Sequence, residues 1–292
     1  MNAFLDSRCE QLDIRGLRYN VRHWGTPDAP VVFFLHGWMD TSATFQFVVD
    51  ALKQDWHVIA PDWRGYGESE WLRRPYWYPD YYGDLDALLA HYSPDRPARL
   101  VGHSMGAGIS SAYAGVRPAR VAQLVMMDFL GLTTTRPHEA PGHITRWLDS
   151  LQSDPPQRNY PDHDAFARRL LQVNPRLTAE RAAFLAHTVS RTLPDGQVTM
   201  GGDPWHRVAS PVRYQSDDAL EAWRAIEAPV LLLLSDQGYV LKRFGETPDE
   251  IERRLACFAN LQRVTVTDSG HNLQHDQPEQ VAAALEAFLR RD

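Results

Sequence analysis

Short apolar runs recur along the chain, and segments with helical spacing lie between them. Val31-Val32-Phe33-Phe34-Leu35 is apolar without a break, as a strand buried on both faces requires. It runs into His36-Gly37-Trp38. Similar runs predict strands over His57 to Asp62, Ala98 to His103, Val121 to Met127, Pro229 to Leu234 and Arg263 to Thr267. Leu12 to Trp24 reads as two antiparallel strands that turn near Gly16. Helical periodicity marks Ser42 to Leu52, Asp80 to Tyr92, Met105 to Val116, Pro248 to Phe258 and Pro278 to Arg290. Strands alternating with helices predict an α/β fold, with a mostly parallel central sheet and helices on both faces.

The rhythm breaks from Gly131 to Glu227. That stretch is rich in Pro and Arg and holds helical pieces such as Asp164 to Val173 and Thr178 to Ser190. An insertion of this length predicts a helical lid after the strand ending at Asp128, at the C-terminal edge of the sheet. The expected organisation is a core in two parts, 1–130 and 228–292, with the lid at 131–227.

Composition narrows the function. The 292 residues carry 30 Lys+Arg against 37 Asp+Glu, a net charge of −7. Proteins that bind phosphate backbones carry a basic surplus, so nucleic acid is not the expected partner. The two cysteines, Cys9 and Cys257, are too few for a disulfide framework or a Cys-based zinc site. Met1 to Arg8 has no apolar targeting region, and no apolar run approaches the ~20 residues of a membrane span. The expectation is a cytoplasmic chain with no transmembrane segment; its oligomeric state is not legible.

Gly102-His103-Ser104-Met105-Gly106 is G-x-S-x-G between a predicted strand and a predicted helix. That context reads as a nucleophile elbow, with the Ser104 hydroxyl exposed at the sheet edge. His36-Gly37-Trp38 ends an earlier strand there, so the N–H groups of Trp38 and Met105 could form an oxyanion hole. His271, just after the last predicted strand, is the candidate base. His271 and His275 have the spacing of a helical zinc pair, but position 272 is Asn, so no metal is expected.

Together with Asp62-Trp63-Arg64-Gly65-Tyr66-Gly67-Glu68-Ser69, these motifs resemble the α/β-hydrolase superfamily over almost the whole chain except the lid. Leu231 to Val240 and Gly270 to Val281 resemble, more weakly, its serine hydrolase-like proteins. The resemblance implies a triad acid a few residues beyond the strand before the last. Here that run is Leu234-Ser235-Asp236-Gln237-Gly238-Tyr239, with Gly238 at the usual place of the acid and Asp236 two residues early. Some relatives carry the acid at the end of the strand after the nucleophile helix, where this chain has Asp128. Asp128 is the expected acid, with Asp236 the alternative and Asp268 the next.

The implied chemistry is hydrolysis of a carboxylic ester through an acyl-enzyme on Ser104. A dehalogenase or epoxide hydrolase on this fold would carry Asp at the elbow. No cofactor is implied, since neither a phosphate loop nor a strand-linked Gly-x-Gly-x-x-Gly occurs. The expected partner is a small ester or thioester, apolar or aromatic, with Trp38, His103 and Trp147 as substrate-contact candidates. Thioester hydrolysis, C–C bond hydrolysis and a non-catalytic receptor on the same fold remain open.

Overall fold

The computed structural model describes residues 4–245 and 247–289. Eleven strands are found among them: β1 (Arg8–Ile14), β2 (Leu17–Trp24), β3 (Val31–Leu35), β4 (His57–Pro61), β5 (Ala98–His103), β6 (Val121–Met127), β7 (Asn159–Tyr160), β8 (Ser190–Thr192), β9 (Val198–Met200), β10 (Val230–Ser235) and β11 (Leu261–Val266). The helices are α1 (Gln46–Ala51), α2 (Asp80–Tyr92), α3 (Met105–Val116), α4 (Ala140–Ser150), α5 (His163–Val173), α6 (Ala179–Thr188), α7 (Ser216–Arg224), α8 (Tyr239–Phe244), α9 (Pro248–Leu255), α10 (Leu273–Asp276) and α11 (Pro278–Phe288). Arg290, the expected end of α11, lies outside the described residues, as do Met1 to Ala3.

Eight strands form one sheet in the order β1-β2-β4-β3-β5-β6-β10-β11. The hairpin β1-β2 and the pair β2-β4 are antiparallel, and the rest run parallel. Side chains alternate between two cores, as strand geometry requires. Phe33, Leu35, Leu100, Leu124, Met126 and Leu232 face α2 and α3. Val32, Phe34, Val101, Val125, Met127, Leu231 and Leu233 face α1 and α11. This two-sided burial is why β3 and β5 lack polar alternation.

The segment between β6 and β10 was expected to be helical. It holds α4 to α7 but also a three-stranded sheet, β7-β9-β8. Strands of two or three residues carry no period that a sequence can display. This segment has its own core, with Phe166, Leu177, Leu185 and Val198 around Phe47 of the body. It is strapped to the loop after β4. The Gly67 N–H donates to Gly201 O at 2.6 Å, and Asp203 N–H to Gly65 O at 2.8 Å. The His206 ring stacks between Tyr66 and Tyr76, at centroid distances of 3.9 and 3.7 Å. Tyr66 and Tyr76 thus fasten this segment to the body through His206.

Candidate active site

Ser104 stands between β5 and α3 at φ 51° and ψ −113°, a conformation that costs a non-glycine residue energy. The turn is tight. A side-chain carbon at Gly106 would lie 2.1 Å from the Leu35 carbonyl oxygen. α3 then starts directly behind the serine, and Met105, its first residue, has no intrahelical acceptor for its N–H. Gly37 lies against the same turn: a Cβ there would sit 3.2 Å from Ser104 Cβ. That close approach brings the Trp38 end of the loop to Ser104. Met39, Asp128 and Asp268, also at this sheet edge, have positive φ of 55°, 46° and 52°.

His271 follows β11. Its Nε2 accepts from Ser104 Oγ at 2.9 Å, and its Nδ1–H donates to Asp128 Oδ2 at 2.7 Å. Asp128 ends β6 and is fully buried. Its Oδ2 also accepts the Tyr239 N–H at 2.6 Å. Gly238 leaves the carboxylate its space, because a Cβ at that position would lie 2.3 Å from Asp128 Oδ2. Gly238, the position after β10 where the resemblance implies an acid, has no side chain, and the Asp128 carboxylate from β6 fills the space beside it.

Asp236 does not reach the imidazole. Its carboxylate accepts the N–H groups of Asp268 and Ser269, at 2.8 and 3.0 Å. These bonds, Ser269 first, hold its carboxyl below the ordinary range, and they pin the loop that carries His271. Asp268 points outward toward Arg176, 3.5 Å away.

His103 is buried, and its Nε2–H donates to the His271 carbonyl at 2.9 Å. Burial keeps it well below the usual imidazole range, so it props the histidine loop as a neutral ring. His36 is likewise neutral, lowered by burial to about 4. Its Nδ1–H donates to Gly37 O at 2.8 Å, and its Nε2 accepts the Trp63 N–H at 2.9 Å. His275 bonds Thr44 Oγ1 through Nε2 at 2.5 Å and is lowered to about 3, chiefly by burial.

A cavity of about 190 Å³ opens in front of Ser104 and His271. Trp38, Met39 and Asp40 wall one side, and Leu170, Val173, Leu177, Leu185, Val189 and Met200 of the inserted segment the other. Trp38 and His103, two of the substrate-contact candidates, line it. Trp147 does not: it lies on α4, none of whose residues is fully buried, away from the cavity lining. Asp40, Gly238 and the wall of α5 and α6 were not identified from sequence. Gly238 was legible only as a missing acid, and the apolar positions of α5 and α6 were indistinguishable from ordinary core.

The family model for the alpha/beta hydrolase fold matches residues 30–278. A serine hydrolase-like protein of Danio rerio is 26% identical over 279 residues, covering 91% of this chain and 83% of that one. A 3-hydroxybutyrate-oligomer hydrolase of Cupriavidus necator is 28% identical, covering 93% and 92%. Among solved structures, a thioesterase domain from the curacin biosynthetic pathway superposes with a TM-score of 0.84 at 27% identity, covering 97% of this chain and 99% of that one.

Proposed function

The chain belongs to the α/β-hydrolase family, and from that premise we propose that it is a serine hydrolase acting on the carboxylic ester of a small, short-chain acyl group. Hydrolases among its relatives support the reaction class. One observation carries the finer reading: an unbroken relay from buried Asp128 through His271 to Ser104, at 2.7 and 2.9 Å.

In the proposed reaction Ser104 Oγ attacks the acyl carbonyl while His271 Nε2 takes its proton. Asp128 holds Nδ1–H and stabilises the imidazolium that results. The N–H groups of Trp38 and Met105 receive the oxyanion, and α3 directs its positive end at the same point. The imidazolium returns its proton to the leaving alcohol. Water gives a proton to His271 as it attacks the acyl-enzyme; the acyl–Oγ bond then breaks, His271 returns the proton to Ser104 Oγ, and the acid leaves.

The cavity supports a short acyl group. Its volume of about 190 Å³ lies below the roughly 300–1,000 Å³ of sites for drug-sized ligands. A panel of p-nitrophenyl esters tests this. Turnover should peak at a short chain and fall once the chain outgrows the cavity. Activity only on long chains would contradict it. A thioester is the second reading, favoured by the likeness to the thioesterase domain. Higher kcat/KM on short acyl-CoAs than on oxygen esters of the same acyl group would establish it instead.

A further inference from the structure

Asp40 is the one carboxylate among the described residues that line the cavity, whose wall is mostly apolar and also carries Asn174, Asn272 and His275. It is partly buried, and burial pushes it up to about 6. A carboxylate in an apolar wall is costly unless donors satisfy it. The protein supplies two: the Thr41 N–H, 2.9 Å from Oδ1, and the Thr44 hydroxyl. The Thr44 oxygen in turn bonds Gln274 and His275. A carboxylate has about four acceptor positions, so capacity remains on the cavity side. The neighbouring charges are Asp62, which opposes ionisation of Asp40, and His271, which favours it.

We propose that Asp40 is a specificity-determining residue that accepts a hydrogen bond from a hydroxyl on the acyl chain, so that hydroxyacyl esters are the preferred substrates. This rests on the ester-hydrolase reading above. A hydroxyl fits better than an ammonium group. His271 becomes an imidazolium in each turnover, and a second cation held by Asp40 would oppose that charge. A hydroxyl satisfies the carboxylate without adding charge, and the rest of the wall accommodates the alkyl carbons.

The test is a ratio measured on one enzyme preparation, which cancels any loss of folded protein. kcat/KM is compared for p-nitrophenyl butanoate, 2-hydroxybutanoate and 3-hydroxybutanoate. The native chain should favour at least one hydroxyester by roughly ten- to a hundredfold, the scale of a hydrogen bond to a charged group. Asp40→Ala should bring that ratio to within about threefold of unity, and Asp40→Asn, which keeps one acceptor oxygen, should give an intermediate value. A role in folding or in orienting His271 would lower all three esters together and leave the ratio unmoved. Turnover without hydroxyl preference, or a preference surviving in Asp40→Ala, overturns this proposal alone. Failure to hydrolyse any of the three overturns the ester-hydrolase reading with it.

Discussion

At the scale of single residues, two aspartates near His271 have separate tasks. Asp128 meets the ring and Asp236 meets the loop backbone. Asp128→Asn should therefore cut kcat by about 10⁴, because the neutral amide leaves the imidazole in the wrong tautomer. Asp236→Asn keeps an acceptor for the loop and should cost less than about tenfold. Steady-state kinetics on one ester checks both; reversed losses would move the acid to Asp236. Gly238→Ala tests the same geometry from outside the relay. Its Cβ would collide with Asp128 Oδ2, so kcat should drop at least about tenfold while the circular dichroism spectrum stays native. Native-like turnover would mean that the carboxylate does not need that space. Ser104, His271 and Asp128 were legible because strand-end position and residue type together specify them. The Asp128–Gly238 exchange was half legible, since a sequence displays the missing side chain and not the neighbour that fills its place.

At the scale of elements, the loop after β4 is held by buried charge. Arg64 donates to Asp84 through Nε at 2.5 Å and Nη2 at 2.6 Å, and Tyr19 donates to the same carboxylate. Asp84 is fully buried. Asp84→Ala would leave Arg64 with Asp80 alone, 2.9 Å away, and the buried Tyr19 hydroxyl without its acceptor, at a cost of about 1–3 kcal/mol. Urea unfolding should record that loss, and a change under about 1 kcal/mol would contradict it. The motif Asp62 to Ser69 is thus structural. Asp62 accepts from Ser42 N–H and Asn20 Nδ2 at 2.7 and 2.8 Å, which fixes the floor beneath Thr41 and Asp40. The core strands were readable because burial on both faces leaves unbroken apolar runs. β7 to β9, α8 and α10 were not, since elements this short are set by tertiary contacts rather than by periodicity.

At the scale of the whole molecule, burial of neutral histidines links stability to pH. His36 and His275 are lowered to about 4 and 3, and His103 lies well below its usual range. In the unfolded chain each titrates near 6.5. Below that point the unfolded state binds protons that the folded state refuses, so stability present above about 6.5 is lost as pH falls. Each histidine contributes about 1.4 kcal/mol per pH unit in that window. Asp40, raised to about 6, and Asp50, also raised by burial, act in the opposite sense, but the lowered histidines outnumber them, since His23 and His206 are lowered to about 4 and about 3 as well. Thermal melts should give a lower Tm at about pH 5 than at about pH 7; a higher Tm on acidification would contradict this. The proposed chemistry turns on Ser104 being an activated nucleophile. Labelling with a fluorophosphonate, followed by peptide mapping, tests it most directly. The expected result is one adduct per chain, on Ser104, formed far more slowly in Asp128→Asn. No adduct on the folded protein, or equal labelling of Ser104→Ala, would contradict it.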